Sequence, residues 1–371
     1  MTVDARTSTR AHARRIPLWD NARFLAVTLV VIGHGIQRLT ADSNNALIVY
    51  LFIYAFHMPA FAIISGYFST AKPPTLRRMK KVLTHLVIPY LVMEAIWSLV
   101  QFLVEGRGNF NPSKPSWTLW FLLALAIFRL VLPYLALLRW PLILSVLFSV
   151  GVGYLDNVGS TFSLSRAIGI MPFFILGWKA REWGIVERWQ NLGTQVWWIR
   201  SGAVAVFAAW FCVVAAFIQT WRDIDLRFWF FYDDSYSGLG LESWWAGLIR
   251  FGLIVVAAAL CAAFLALVPR RVSWITDLGK ATMYVYLLHS FVLYPLRESG
   301  FLTGEHASAS WLVLMILASI ATSLVLSSRM VRRVFRPIIE PRADWLFAPA
   351  PPEPPPLPRV ADHIARTRGG T

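Results

Sequence analysis

Hydrophobic residues fall along this chain in long, nearly uninterrupted stretches instead of the spaced stripes of amphipathic helices. Ten such stretches can be marked, at 22–40, 46–69, 82–104, 117–138, 141–155, 164–178, 201–220, 244–268, 280–298 and 310–330. Crossing a hydrocarbon core about 30 Å thick takes roughly 20 apolar residues as a helix, so the pattern predicts about ten transmembrane helices. The fold class expected is all-α, a polytopic integral membrane protein. The two flanks read differently. Residues 1–15 form a basic N-terminal tail and 336–371 a C-terminal tail with a proline run from Pro349 to Pro358, which favours extended backbone and cannot build a core. The transmembrane domain is thus expected over 16–335.

Composition agrees and removes the main alternative. The chain has 371 residues, 57% hydrophobic and only 15% charged, with mean hydropathy +0.56, whereas soluble domains carry about 25% charged residues. A net charge of +15 would suggest nucleic acid in a soluble protein. Here the cationic residues recur in alternate loops, from Arg6, Arg10, Arg14 and Arg15 through Lys179, Arg181 and Arg188 to Arg329, Arg332 and Arg333. The loop at 221–243 instead carries Asp223, Asp225, Asp233, Asp234 and Glu242. This bias orients helices in a membrane, places both termini in the cytoplasm and leaves no concentrated basic face for nucleic acid. The bilayer is the expected partner, and the cell membrane the expected location. Cys212 and Cys261 fall inside spans and are too few for a zinc site, so no metal is expected.

Ionisable side chains inside such spans are expensive and mark candidate chemistry. Counted from the inner end of each span at 1.5 Å per residue, His34, His57 and Glu94 lie roughly 18 Å deep and His289 about 14 Å. Imidazoles beside a carboxylate suit proton abstraction from a hydroxyl, one imidazole as base and its neighbours orienting it. Each taken alone could equally be a buried polar group bonded to a neighbouring helix. Arg23 and His34 lie on one helix, eleven residues and about 16 Å apart, within roughly 20° of the same face. Asp20 can pair with Arg23 at i, i+3. Arg77, Arg78, Lys80 and Lys81 follow the second span and suit phosphates, whether of a ligand or of lipid headgroups. Ser65-Gly66, just before them, would allow close approach of a ligand or of another helix.

These residues resemble the signature of the membrane-bound acyltransferase-3 family, in particular its fucose 4-O-acetylase-like branch. Leu18-Trp19-Asp20-Asn21-Ala22-Arg23, followed by ten residues and His34, is similar to the family's arginine-x10-histidine pattern. Phe56-His57-Met58-Pro59, Ile64-Ser65-Gly66-Tyr67, Trp120-Phe121-Leu122-Leu123-Ala124 and Tyr286-Leu287-Leu288-His289-Ser290 follow in the family's order. The resemblance implies an enzyme that moves an acyl group, commonly acetyl from cytoplasmic acetyl-CoA, onto a hydroxyl of a carbohydrate or lipid-linked glycan. It implies His34 as base, with Arg23 and the cations after the second helix on the donor. Where the family often shows Arg-x-x-Arg, this chain has Arg77-x-x-Lys80 and Arg78-x-x-Lys81, which substitutes a point charge for a bidentate fork. The competing reading is a proton-coupled transporter with the buried His and Glu as relay. The lack of an internal repeat argues against it.

Overall fold

The computed structural model describes residues 16–106, 110–300, 302 and 308–348. The expected tails at 1–15 and 349–371 lie outside these. In chain order the helices are α1 (Pro17–Ile36), α2 (Asn44–Tyr54), α3 (His57–Tyr67), α4 (Leu76–Val82), α5 (Ile88–Glu105), α6 (Trp120–Leu135), α7 (Pro141–Gly151) and α8 (Leu164–Glu182). They continue with α9 (Ile185–Asn191), α10 (Val196–Ala216), α11 (Ile218–Asp223), α12 (Leu226–Trp229), α13 (Ala246–Leu267), α14 (Thr282–Glu298), α15 (Ala309–Leu326) and α16 (Arg329–Ile339). All belong to the unit 1–341; in the second unit, 342–371, residues Asp344–Leu346 form a 3-10 turn. α16 runs across the expected domain boundary at 335/336.

Among the described residues, seven segments are long and apolar enough to cross a membrane: Pro17–Thr40, Asn44–Tyr67, Leu76–Glu105, Thr161–Glu182, Val196–Ala216, Ala246–Leu267 and Ala309–Leu326. The fold is therefore all-α and multi-pass. The other three expected spans contain helices too, α6, α7 and α14, all shorter than 18 residues. Large side chains such as Leu103, Leu137, Trp197 and Trp198 stay exposed along the outer helix faces. An apolar surface this wide suits hydrocarbon, not water.

Two expected spans are not simple helices, and proline explains both. In the second, Pro59 has no N–H for the Ala55 carbonyl, and the helix breaks at Ala55-Phe56 into α2 and α3. In the third, Pro89 similarly cannot serve His85, and Leu83–Val87 form a π-helical turn between α4 and α5. Two of the long helices meet backbone to backbone. α3 crosses α8 at Gly66 and Gly177, where an added Cβ would stand 1.9 Å from the Phe174 carbonyl oxygen and 2.0 Å from that of Ile63. Only glycine allows backbones so close.

Polar side chains staple the loops into two distinct ends. At one, Asn21 donates to the carbonyls of Pro269 and Arg271 at 2.9 and 3.0 Å and accepts from Ser273 and Thr276, which holds the 269–276 loop against α1. Tyr67 reaches Glu187 at that end. At the other, Arg222 donates to Asn44 and to the carbonyls of Thr40 and Ala41. There the Phe162 N–H also donates to the Ser113 carbonyl and Tyr236 to that of Gly153.

Candidate active site

α1 positions the candidate base. Gly33 lets the Tyr54 ring press against the helix, 2.8 Å from where a Cβ would sit, and Gly35 admits Ser319 of α15 on another side. His34, between them, is held with its ring 6.3 Å from Tyr54, 6.1 Å from Trp117 and 5.4 Å from His289, measured between centroids. Tyr54 stacks on Tyr50 at 3.8 Å and meets His57 edge-on at 4.6 Å. His34, His57 and His289, from three helices far apart in sequence, thus share one cluster.

Hydrogen bonds distinguish the three imidazoles. His57 Nδ1 lies 3.0 Å from the Ile53 carbonyl and His289 Nδ1 3.0 Å from that of Val285. A carbonyl can only accept, so both rings carry their proton on Nδ1 and turn a lone pair outward at Nε2. Among the described residues, Nε2 of His289 is buried with no hydrogen-bond partner, as is Nδ1 of His34. A buried polar atom left unbonded costs about 1–3 kcal/mol.

His34 and His57 line a cavity of about 310 Å³. Its walls come from Val30 of α1, Gln37 just after it, Tyr54, Met58, Ile170 of α8 and Tyr286 of α14, and its roof from loops at the Arg222 end of the bundle, carrying Lys114, Trp117, Ser160, Ser163, Phe231 and Asp233. All three roof loops hold residues in the left-handed region: Trp117 (φ 48°), Phe162 and Ser163 (φ 51° and 50°), and Tyr232 (φ 54°). Such conformations are outliers for bulky residues, cost of order 1–3 kcal/mol each, and persist only where surroundings enforce them. The enforcement is visible. Glu94, buried on α5, accepts from the Ser116 N–H at 2.9 Å and the Ser116 hydroxyl at 2.7 Å. Tyr286 donates to the Thr118 carbonyl, and the Thr118 and Ser290 hydroxyls lie 3.0 Å apart. Trp117 is thereby clamped beside His34. At the roof, burial and the adjacent Asp233 carboxylate push the Asp234 carboxyl up from its ordinary range.

The remaining expected site residues are dispersed. α1 begins at Pro17 and not at 22, so His34 stands near the cavity end of its span and not at its middle. Glu94 bonds the Ser116 loop and does not line the cavity. Arg23 sits at the opposite end, 3.3 Å from Asp20, with its guanidinium 4.5 Å above the Phe68 ring. Both Arg23 and His34 face the α2–α3 chain, through Phe68 and Tyr54 respectively. Gly66 is filled by the α8 backbone, so the close approach it permits is by a helix; the Ser65 carbonyl accepts from Ser69. Arg77, Arg78, Lys80 and Lys81 stand on α4, which Thr75 caps, and Arg78 is turned back onto the carbonyls of Lys72 and Pro73 at 3.0 Å. Among the described residues no group of three or more His, Cys, Asp or Glu could hold a metal ion.

Sequence reasoning left one part of the cavity without a role. Arg166, an arginine within the sixth expected span, forms a 2.5 Å ion pair with Asp233 in the cavity wall. The available signal was weak: a lone arginine in one span and an acidic loop 67 residues later.

A bundle of apolar helices thus brings three imidazoles together beneath strained loops. In comparison with family models, the acyltransferase domain model matches residues 16–328, and the chain belongs to this membrane acyltransferase family. No curated protein and no solved structure matches the chain.

Proposed function

We propose that the protein is an O-acyltransferase that moves acetyl from acetyl-CoA to a hydroxyl of a carbohydrate or glycoconjugate, with His34 as general base. The observation that carries this is His34 itself, lining a covered cavity with Nδ1 unbonded and a second imidazole, His289, at 5.4 Å. A hydroxyl is a poor nucleophile until its proton is removed, and a positioned imidazole does so near neutral pH. The resemblance to fucose 4-O-acetylases directs the acceptor reading toward a sugar.

The donor residues suit the donor's charge. α4 presents Arg77, Lys80 and Lys81 away from the apolar bundle, and Arg23 lies at the same end beside Phe68, which leads into the α4 loop. Cations so placed would hold the phosphates of acetyl-CoA. When bound, acetyl-CoA supplies the thioester whose acyl carbon the hydroxyl oxygen attacks, with release of a thiol. His34 takes the hydroxyl proton at a ring nitrogen and returns it to the departing sulfur, so no net proton is consumed. His289 orients His34, and its outward lone pair at Nε2 can stabilise the imidazolium. His57 and Tyr54 fix the opposite wall. Glu94 acts at one remove, because it sets Trp117 against the His34 ring. The inner location of α4 and both termini, at the cytoplasmic face of the cell membrane, follows from the charge bias of the loops.

Membranes containing the protein, incubated with acetyl-labelled acetyl-CoA and a panel of glycan and glycolipid acceptors, test the reading. Transfer of label that is lost in His34→Ala supports it. Movement of an acceptor across the membrane without acylation would establish the transporter instead.

A further inference from the structure

The Arg166–Asp233 pair is unusual in what it leaves unused. One Nη2–Oδ2 bond joins the side chains, yet Arg166 Nε and Asp233 Oδ1 have no partner among the described residues. Both side chains line the cavity and keep 22% and 23% of their surface accessible. A half-satisfied ion pair removed from bulk water is poor value for stability alone, since desolvation offsets much of the attraction. It does offer a donor edge and an acceptor edge side by side. Adjacent hydroxyls on a ring are the complementary partner, because each can both donate and accept.

The surroundings narrow the ligand further. The Arg166 guanidinium lies 5.3 Å over the Trp120 ring, and Phe230 and Phe231 line the same wall. These rings give flat apolar surfaces against which the C–H face of a sugar can lie. Formally the pair is neutral, which leaves Lys114 in the roof as the cavity's one uncompensated formal charge among the described lining residues. The cavity, about 310 Å³, is at the lower limit of small-molecule sites, a size that accommodates one ring. Tyr232, strained at φ 54°, separates Phe231 from Asp233; its Cβ packs where a Gly169 side chain would be, and its carbonyl accepts from Ser165 at 2.9 Å. The loop is thus built to present Phe231 and Asp233 together.

We propose that Arg166 and Asp233, with Trp120, form the acceptor-specificity subsite, which reads two adjacent hydroxyls of a single neutral pyranose. This rests on the acyltransferase reading for the identity of the acceptor but concerns binding alone. Arg166 and Asp233 are specificity residues; His34 remains the proposed base.

Equilibrium dialysis of the purified full chain in nanodiscs, without acetyl-CoA, against radiolabelled methyl pyranosides of the gluco, galacto, manno and fuco series tests it. At least one should bind saturably. Asp233→Asn should weaken that binding about tenfold or more, and a mono-deoxy analogue lacking the read hydroxyl should be weakened similarly in the wild type but lose little further in the variant. Should Asp233→Asn not yield a monodisperse protein, Arg166→Lys, which keeps the charge and removes the fork, carries the same expectation. No saturable pyranoside binding, binding unchanged within twofold in a folded variant, or fully additive effects of the variant and the deoxy analogue would overturn the proposal. Pyranoside binding without any acetyl transfer would sink only the enzymatic reading. Transfer to an acceptor that is not a pyranose would sink only this one.

Discussion

The two ends of the helix bundle treat charge in opposite ways. At the α4 end the cations are numerous and outward-facing, and Arg78 is anchored to its own loop. At the cavity end His34, His57, Arg166 and Asp233 are held inward, beneath loops that contain four left-handed non-glycine residues. Exposed charge can hold a mobile anion but positions nothing precise, because solvent screens it. Enclosed polar groups on strained, clamped loops are costly and exact in placement, as chemistry requires. Under the proposed function the donor's phosphates bind at one end and the reacting hydroxyl at the other, with α1 carrying Arg23 and His34 between them.

Substitutions can break this division. The largest effect is expected at His34: His34→Ala should lower acetyl transfer about 10²- to 10⁴-fold with the melting profile unchanged, measured by label incorporation and thermal unfolding. Glu94→Ala should come next, by a different route. Loss of two hydrogen bonds to a buried carboxylate should lower stability by about 1.5–3 kcal/mol and release Trp117, so that transfer and thermal stability fall together. If Glu94→Ala reduced transfer alone, Glu94 would belong to the chemistry and not to its support.

Gly66→Ala probes the frame that joins the ends. A Cβ 1.9 Å from the Phe174 carbonyl oxygen forces α3 from α8, with an expected cost of about 1–3 kcal/mol in unfolding experiments. The smallest effect belongs to the exposed end. Lys81→Gln should cost about 1 kcal/mol of donor binding, seen as a roughly fivefold higher KM for acetyl-CoA that shrinks as salt is raised, with kcat little changed. An effect on kcat as large as that of His34→Ala would erase the distinction between the ends.

Much of this was legible in the sequence because a membrane imposes coarse rules. Apolar stretches located the helices, and the cost of burying ionisable groups singled out His34, His57 and His289, which the fold brings together. What the sequence could not convey was geometry between elements. Pro59 and Pro89 were visible, but whether proline merely bends a span or breaks it depends on neighbouring helices. Glu94 was read as a partner of the imidazoles because depth along a helix says nothing about which way its side chain turns. Arg166 and Asp233 meet across 67 residues of chain, and no local periodicity records such a pair. Gly66 permitted two readings until Phe174 was seen against it.

The division between the ends is tested most directly by supplying the two substrates on opposite sides of a membrane. Sealed vesicles with α4 outward, given labelled acetyl-CoA outside and an acceptor glycan enclosed within, should accumulate acetylated glycan inside. They should fail to do so with His34→Ala. Label appearing only on acceptor added to the outside, with none on the enclosed glycan, would contradict the account.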